Sequence, residues 1–81
     1  NEWPYKAFLA KRVDSRFADF CRQNSNHIKI GSRALRAIEK DHWTQGFYFR
    51  CKTEKYLILA KIAAGTGITK VIKYVSENDL A

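Results

Sequence analysis

The chain has 81 residues, room for one domain only. Fifteen Lys and Arg against eight Asp and Glu give a formal charge of +7 and a pI of about 9.7, an excess that draws polyanions. A 46% hydrophobic content with eleven aromatic residues excludes a disordered tail, and no apolar run approaches the ~20 residues that span a bilayer.

Residues 4–23 predict a long amphipathic helix. Tyr5, Phe8, Leu9, Val13, Phe17, Phe20 and Cys21 follow the i, i+3, i+4 spacing, and Pro4 suits a first helical position. The run Asn24-Ser25-Asn26-His27 ends it in turn-forming residues. Ile28-Lys29-Ile30 alternates as a short strand. After Gly31, Ser32 reads as an N-cap for a second helix to about Trp43, with Leu35 and Ile38 inward. Phe47 to Lys52 alternates again and predicts a strand, with Phe47, Phe49 and Cys51 on one face and Tyr48, Arg50 and Lys52 on the other. Basic and aromatic side chains sharing a strand face can stack on and clamp single strands. Residues 53–64 fit either a helix starting at Thr53-Glu54 or the second arm of a hairpin, with helix preferred on propensity. Gly65 suits the position after a helix C-terminus. Thr69 then caps a last helix through about Asn78, with Val71, Ile72 and Val75 inward.

Cys21 and Cys51 lie among apolar residues and read as reduced core thiols, because no C-x-x-C pair or disulfide framework is present. His27 and His42 have no acidic partner at a metal-ligand spacing. No G-x-S-x-G turn or GxxxxGK loop occurs. The chain therefore predicts no enzyme, no catalytic residue, no metal and no cofactor. It shows no signal-peptide pattern, begins at Asn1 and contains no methionine. The expectation is an intracellular single domain over residues 1–81, processed or cut from a larger protein.

Residues 59–75 carry the functional signal. Leu59, Ala60, the small Ala63, Gly67, Ile68 and the hydroxyl residue Thr69 resemble the helix-turn-helix of DNA-binding proteins, although Lys73 stands where that pattern has an apolar residue. The resemblance implies two crossed helices, the second presenting its N-terminal side chains to the major groove. Gly65-Thr66-Gly67-Ile68-Thr69-Lys70 also resembles the end of a double-stranded-RNA-binding domain, where a helix N-terminus and its lysines meet phosphates.

Charge is uneven along the chain. Arg22 to Arg36 holds four basic residues and no acid, and Arg50 to Lys73 holds six with Glu54 alone opposing them. These observations predict an α+β fold, mostly helical and helix-turn-helix-like, with one short strand pair or hairpin. The expected function is nucleic-acid binding, with duplex DNA favoured over RNA. Thr66, Thr69, Lys70 and Lys73 would lie at the groove, and Lys29, Arg33, Arg36 and Lys61 on backbone phosphates. A double-stranded-RNA-binding domain, a protein-interaction module and a small ribonuclease using His42 and Glu39 are the alternatives. No membrane partner is expected, because Asp14 and Asp19 offset the basic residues of the first predicted helix. A homodimer or a larger parent protein is left open. On this reading, exchanging Lys70→Glu with Lys73→Glu removes DNA retention and leaves the fold intact.

Overall fold

The computed structural model describes residues 3–73. Its elements are β1 (Tyr5–Leu9), α1 (Arg16–Gln23), β2 (Ile28–Ile30), α2 (Ser32–Glu39), β3 (Tyr48–Cys51), α3 (Glu54–Ala64), a 3-10 turn at Gly65–Gly67 and β4 (Ile68–Lys73). The strands form one antiparallel sheet in the order β2-β3-β1-β4. This is the split βαβ arrangement, with α2 inserted between the neighbouring strands β2 and β3.

The expected mostly helical, helix-turn-helix-like fold is therefore corrected to three helices beside a four-stranded sheet. Two segments account for the difference. In residues 4–23, Tyr5, Phe8 and Leu9 match helical spacing, but Tyr5, Ala7 and Leu9 match a strand equally well. Strand wins because β1 pairs with β3 on one side and β4 on the other, which satisfies its backbone. Asp14 then starts α1: its carboxylate accepts the Arg16 backbone N–H at 2.9 Å, and its carbonyl accepts that of Phe17 at 2.9 Å. In residues 68–73, Ile68, Thr69, Val71 and Ile72 are β-branched, a composition that favours a pleated surface. Thr69 accordingly caps no helix. It is the extra residue where pairing shifts between Phe8 and Leu9, a bulge in β4. Residues 74–78 of the expected last helix, including Val75, lie outside the described residues.

Other expectations fit the fold. Ile28–Ile30 and Tyr48–Cys51 are strands, and residues 54–64 are helical. Thr53 caps α3, its hydroxyl accepting the Tyr56 N–H at 3.4 Å. Gly65 ends α3 with φ 61°, a value that disfavours any side chain. The second helix stops at Glu39, short of Trp43, and begins after Gly31 as N-cap, with Ser32 as its first residue.

The core lies between the sheet and α1 and α3. Ala7, Leu9, Ile28, Phe49 and Cys51 from the strands meet Phe17, Ala18, Cys21, Leu57 and Ala60 from the helices. Phe17 tilts against Phe49 with ring centroids 5.4 Å apart, and Phe20 stacks on Phe17 at 5.7 Å. Thr44 is a fully buried polar residue. Its hydroxyl donates to the Ala10 carbonyl at 2.7 Å and its N–H to that of Lys11 at 2.8 Å, tying the loop before β3 to the end of β1.

Removing a buried ring leaves a cavity worth about 3–5 kcal/mol, comparable with the whole stability of so short a chain. Phe49→Ala is therefore expected to be largely unfolded in water by circular dichroism. Thr44→Val keeps the shape but orphans the half-buried Ala10 carbonyl, and should lower urea-unfolding stability by about 1 kcal/mol.

Candidate nucleic-acid interface

Alternation along each strand sends successive side chains to opposite faces. Ala7, Leu9, Phe49, Cys51, Ile28 and Val71 take the face that packs on the helices. Lys6 and Phe8 of β1, Lys29 of β2, Tyr48 and Arg50 of β3, and Lys70 and Ile72 of β4 take the other. Cross-strand pairing sets them in two rows. Lys29 pairs with Arg50, Arg50 with Lys6 and Lys6 with Ile72; Tyr48 pairs with Phe8, and Phe8 with Lys70. The Phe8 and Tyr48 rings lie 6.0 Å apart at 56°. The Lys6 ammonium sits 4.1 Å from the Tyr48 centroid and 5.1 Å from that of Phe8, within cation–π range. Tyr48 is 44% exposed, high for a ring in a strand.

No described strand carries an Asp or Glu. The described acids lie on helices and loops, and all but Glu54 hold arginines there: Asp14 with Arg16 at 2.8 Å, Asp41 with Arg12 at 3.3 Å, and Asp19 and Glu39 with Arg22. The Arg16 guanidinium keeps the Asp14 carboxyl down at about 2. Exposed pairs like these add little stability, but they segregate charge. Among the described residues, Lys6, Lys29 and Lys70 join no ion pair.

The residues predicted for binding are only partly brought together. Lys29 and Lys70 share the open face. Arg33, exposed in the first turn of α2, borders a cleft with Lys29, Tyr48 and Arg50. Arg36 is exposed a turn further along α2, and Lys61 is exposed on α3, away from the sheet. Thr66 lies in the 3-10 turn, and the Thr69 hydroxyl donates to the Phe8 carbonyl at 3.4 Å. Lys73 pairs with Tyr5, so it points to the helix side, its ammonium 5.6 Å from the Tyr5 ring. The helix start expected near Thr69 is replaced by a strand. Lys52, beyond β3, places its ammonium 5.0 Å from the Trp3 ring. Sequence reasoning missed Lys6, Phe8 and Ile72; the alternation Tyr5-Lys6-Ala7-Phe8-Leu9 was the signal that could have found the first two.

Other chemistry is sparse. Among the described residues, no group of three or more His, Cys, Asp or Glu is placed to hold a metal ion. Glu39 is engaged by Arg22, and His42 is exposed. No described helix is long and apolar enough to cross a membrane. Comparison with family models, curated proteins and solved structures finds no match to this chain.

Both cysteines are buried and free. Burial, with the neighbouring Cys51, pushes the Cys21 thiol up to about 12, and burial pushes that of Cys51 up to about 11. Thiols held neutral are poor nucleophiles. An unfolded thiol ionises near 9 while the folded one keeps its proton, so folding loses stability as pH rises above 9. The loss should level off at about 11 for Cys51 and about 12 for Cys21. Urea-unfolding midpoints measured from pH 8 to 11 should fall more steeply for the native chain than for Cys21→Ala with Cys51→Ala. Equal slopes would remove the thiols from the linkage.

Proposed function

We propose that this domain binds single-stranded nucleic acid across the open face of its sheet. The observation that carries the reading is the Phe8–Tyr48 pair set among Lys6, Lys29, Arg50 and Lys70, on strands without an acid. Bases stack on exposed aromatic rings whatever their sequence, each stack being worth about 1–3 kcal/mol. Surrounding cations take the phosphates and release counterions. A four-stranded sheet with two stacking rings is an established way to hold unpaired RNA bases. That parallel is one of architecture, and it supports the reading by analogy alone.

A single strand suits this surface better than a duplex. Duplex readers insert a helix or ribbon into a groove, and the segment expected to supply a recognition helix is β4. A broad sheet instead offers unpaired bases a surface to lie on. The phosphate and stacking chemistry is common to RNA and DNA, so matched oligonucleotides assign the sugar.

Fluorescence anisotropy against single-stranded RNA, single-stranded DNA and a duplex of the same sequence tests the proposal. Both single strands, or one of them, should bind more tightly than the duplex. Phe8→Ala and Tyr48→Ala should each weaken binding by about 1–3 kcal/mol while the far-ultraviolet spectrum is unchanged. Lys70→Glu should weaken binding and flatten its salt dependence by about 0.7 log units per decade for each phosphate lost. Lys73→Glu, on the other side of the sheet, should change affinity little. Equal effects of the two lysine exchanges, or none from the aromatic ones, would sink the sheet-face reading.

A further inference from the structure

Antiparallel neighbours such as β2 and β3 can be joined by a two-residue turn. Here residues 31–47 intervene, including the whole of α2. The connection is far longer than these strands require. It is firmly held: Thr44 anchors its far end to Ala10 and Lys11, and Arg22 of α1 reaches Glu39 at the end of α2. What it builds is a cleft of about 490 Å³ at the end of the sheet, between the β2–α2 corner and the start of β3.

The lining of that cleft is chemically distinct. Lys29, Arg33 and Arg50 supply three cations, and no Asp or Glu is among the lining residues. Phe47 and Tyr48 supply aromatic surface, and Ser32 a hydroxyl. The volume lies within the roughly 300–1,000 Å³ of small-ligand clefts. Lys29, Tyr48 and Arg50 also belong to the open face, so cleft and sheet are continuous. A second cleft of about 420 Å³, beside Trp3 and Leu35, shares Lys29 with the first, and its arginine, Arg22, is engaged by Asp19 and Glu39.

We propose that this cleft receives one further nucleotide of the bound strand, turned off the sheet. Its phosphate lies among Lys29, Arg33 and Arg50, and its base lies against Phe47 and Tyr48. The inference rests on the sheet-face reading and extends it, making α2 a wall of the binding site. Arg33 is the residue that belongs to the cleft and not to the sheet. It is exposed, so its replacement should leave the fold intact.

The test uses the whole chain with Arg33→Glu and Phe8→Ala, each checked by thermal unfolding. Trinucleotides and hexanucleotides are titrated by anisotropy, and uridine and adenosine monophosphates by amide chemical shifts. Arg33→Glu should weaken hexanucleotide binding by roughly tenfold and leave the trinucleotide within about twofold, as expected when one phosphate contact is reversed. Phe8→Ala should weaken both. The monophosphates should move the amides of Gly31, Ser32, Arg33 and Gly46 in the native chain and not in Arg33→Glu. Hexanucleotide binding that responds to Phe8→Ala but not to Arg33→Glu overturns the cleft and leaves the sheet. Monophosphate shifts confined to other residues also overturn the cleft. Binding indifferent to Phe8→Ala, or absent, overturns the sheet reading and this extension with it.

Discussion

The packing of Phe49 against Phe17 decides which way the sheet faces. Phe49 sits in the middle of a central strand, opposite Ala7 on one side and Ile30 on the other. Its ring is fully buried and meets Phe17 at 5.4 Å. Because side chains alternate with a strict period of two, fixing this one ring fixes both its neighbours. A slip of one residue would bury Tyr48 and Arg50 beneath the helices and put Phe49 in water. The small Ala7 beside it leaves room for the ring. One hydrophobic contact thus turns a row of basic and aromatic side chains outward.

Charge in this protein is organised by face, and only indirectly by position along the chain. The basic stretch from Arg22 to Arg36 contains both Arg22, occupied by two acids on the helix side, and Lys29 on the open face. The stretch from Arg50 to Lys73 divides in the same way. Arg50 and Lys70 face one direction; Lys61 and Lys73 do not. Acids on α1, α2 and the loops hold Arg12, Arg16 and Arg22, while Lys6, Lys29 and Lys70 stand on strands free of acid. A net charge of +7 is therefore less informative than its sorting.

Sequence legibility followed the strength of local signals. Ile28-Lys29-Ile30 and Phe47 to Lys52 alternate without competition from helical spacing, and Ile28–Ile30 and Tyr48–Cys51 are strands. Tyr48 and Arg50 were legible on the outer face for the same reason. Thr53 and Gly65 bracket α3 with side-chain and backbone chemistry that acts locally. The ends of the sheet's long partners were not legible. Tyr5 to Leu9 satisfies periods of 2 and of 3.6 together, and only pairing with β3 and β4 decides between them. Ile68 to Lys73 likewise allowed a helix until its β-branched residues found β1 as a neighbour. Phe8 was hidden by the first ambiguity, and with it half of the aromatic pair. The location of Arg33 beside Tyr48 depends on the path of residues 31–47, which no local pattern encodes.

The two borders of the sheet have a consequence for how the molecule behaves among its own copies. An unpaired strand border is a template on which foreign chains can accrete. One border here, β2, is only three residues long. The other, β4, carries Lys70 and Lys73 and is bent by its bulge at Thr69. Short length, like charges and local irregularity each discourage growth of the sheet from outside. An open aromatic surface can then be kept in water without its margins recruiting neighbours into fibrous stacks.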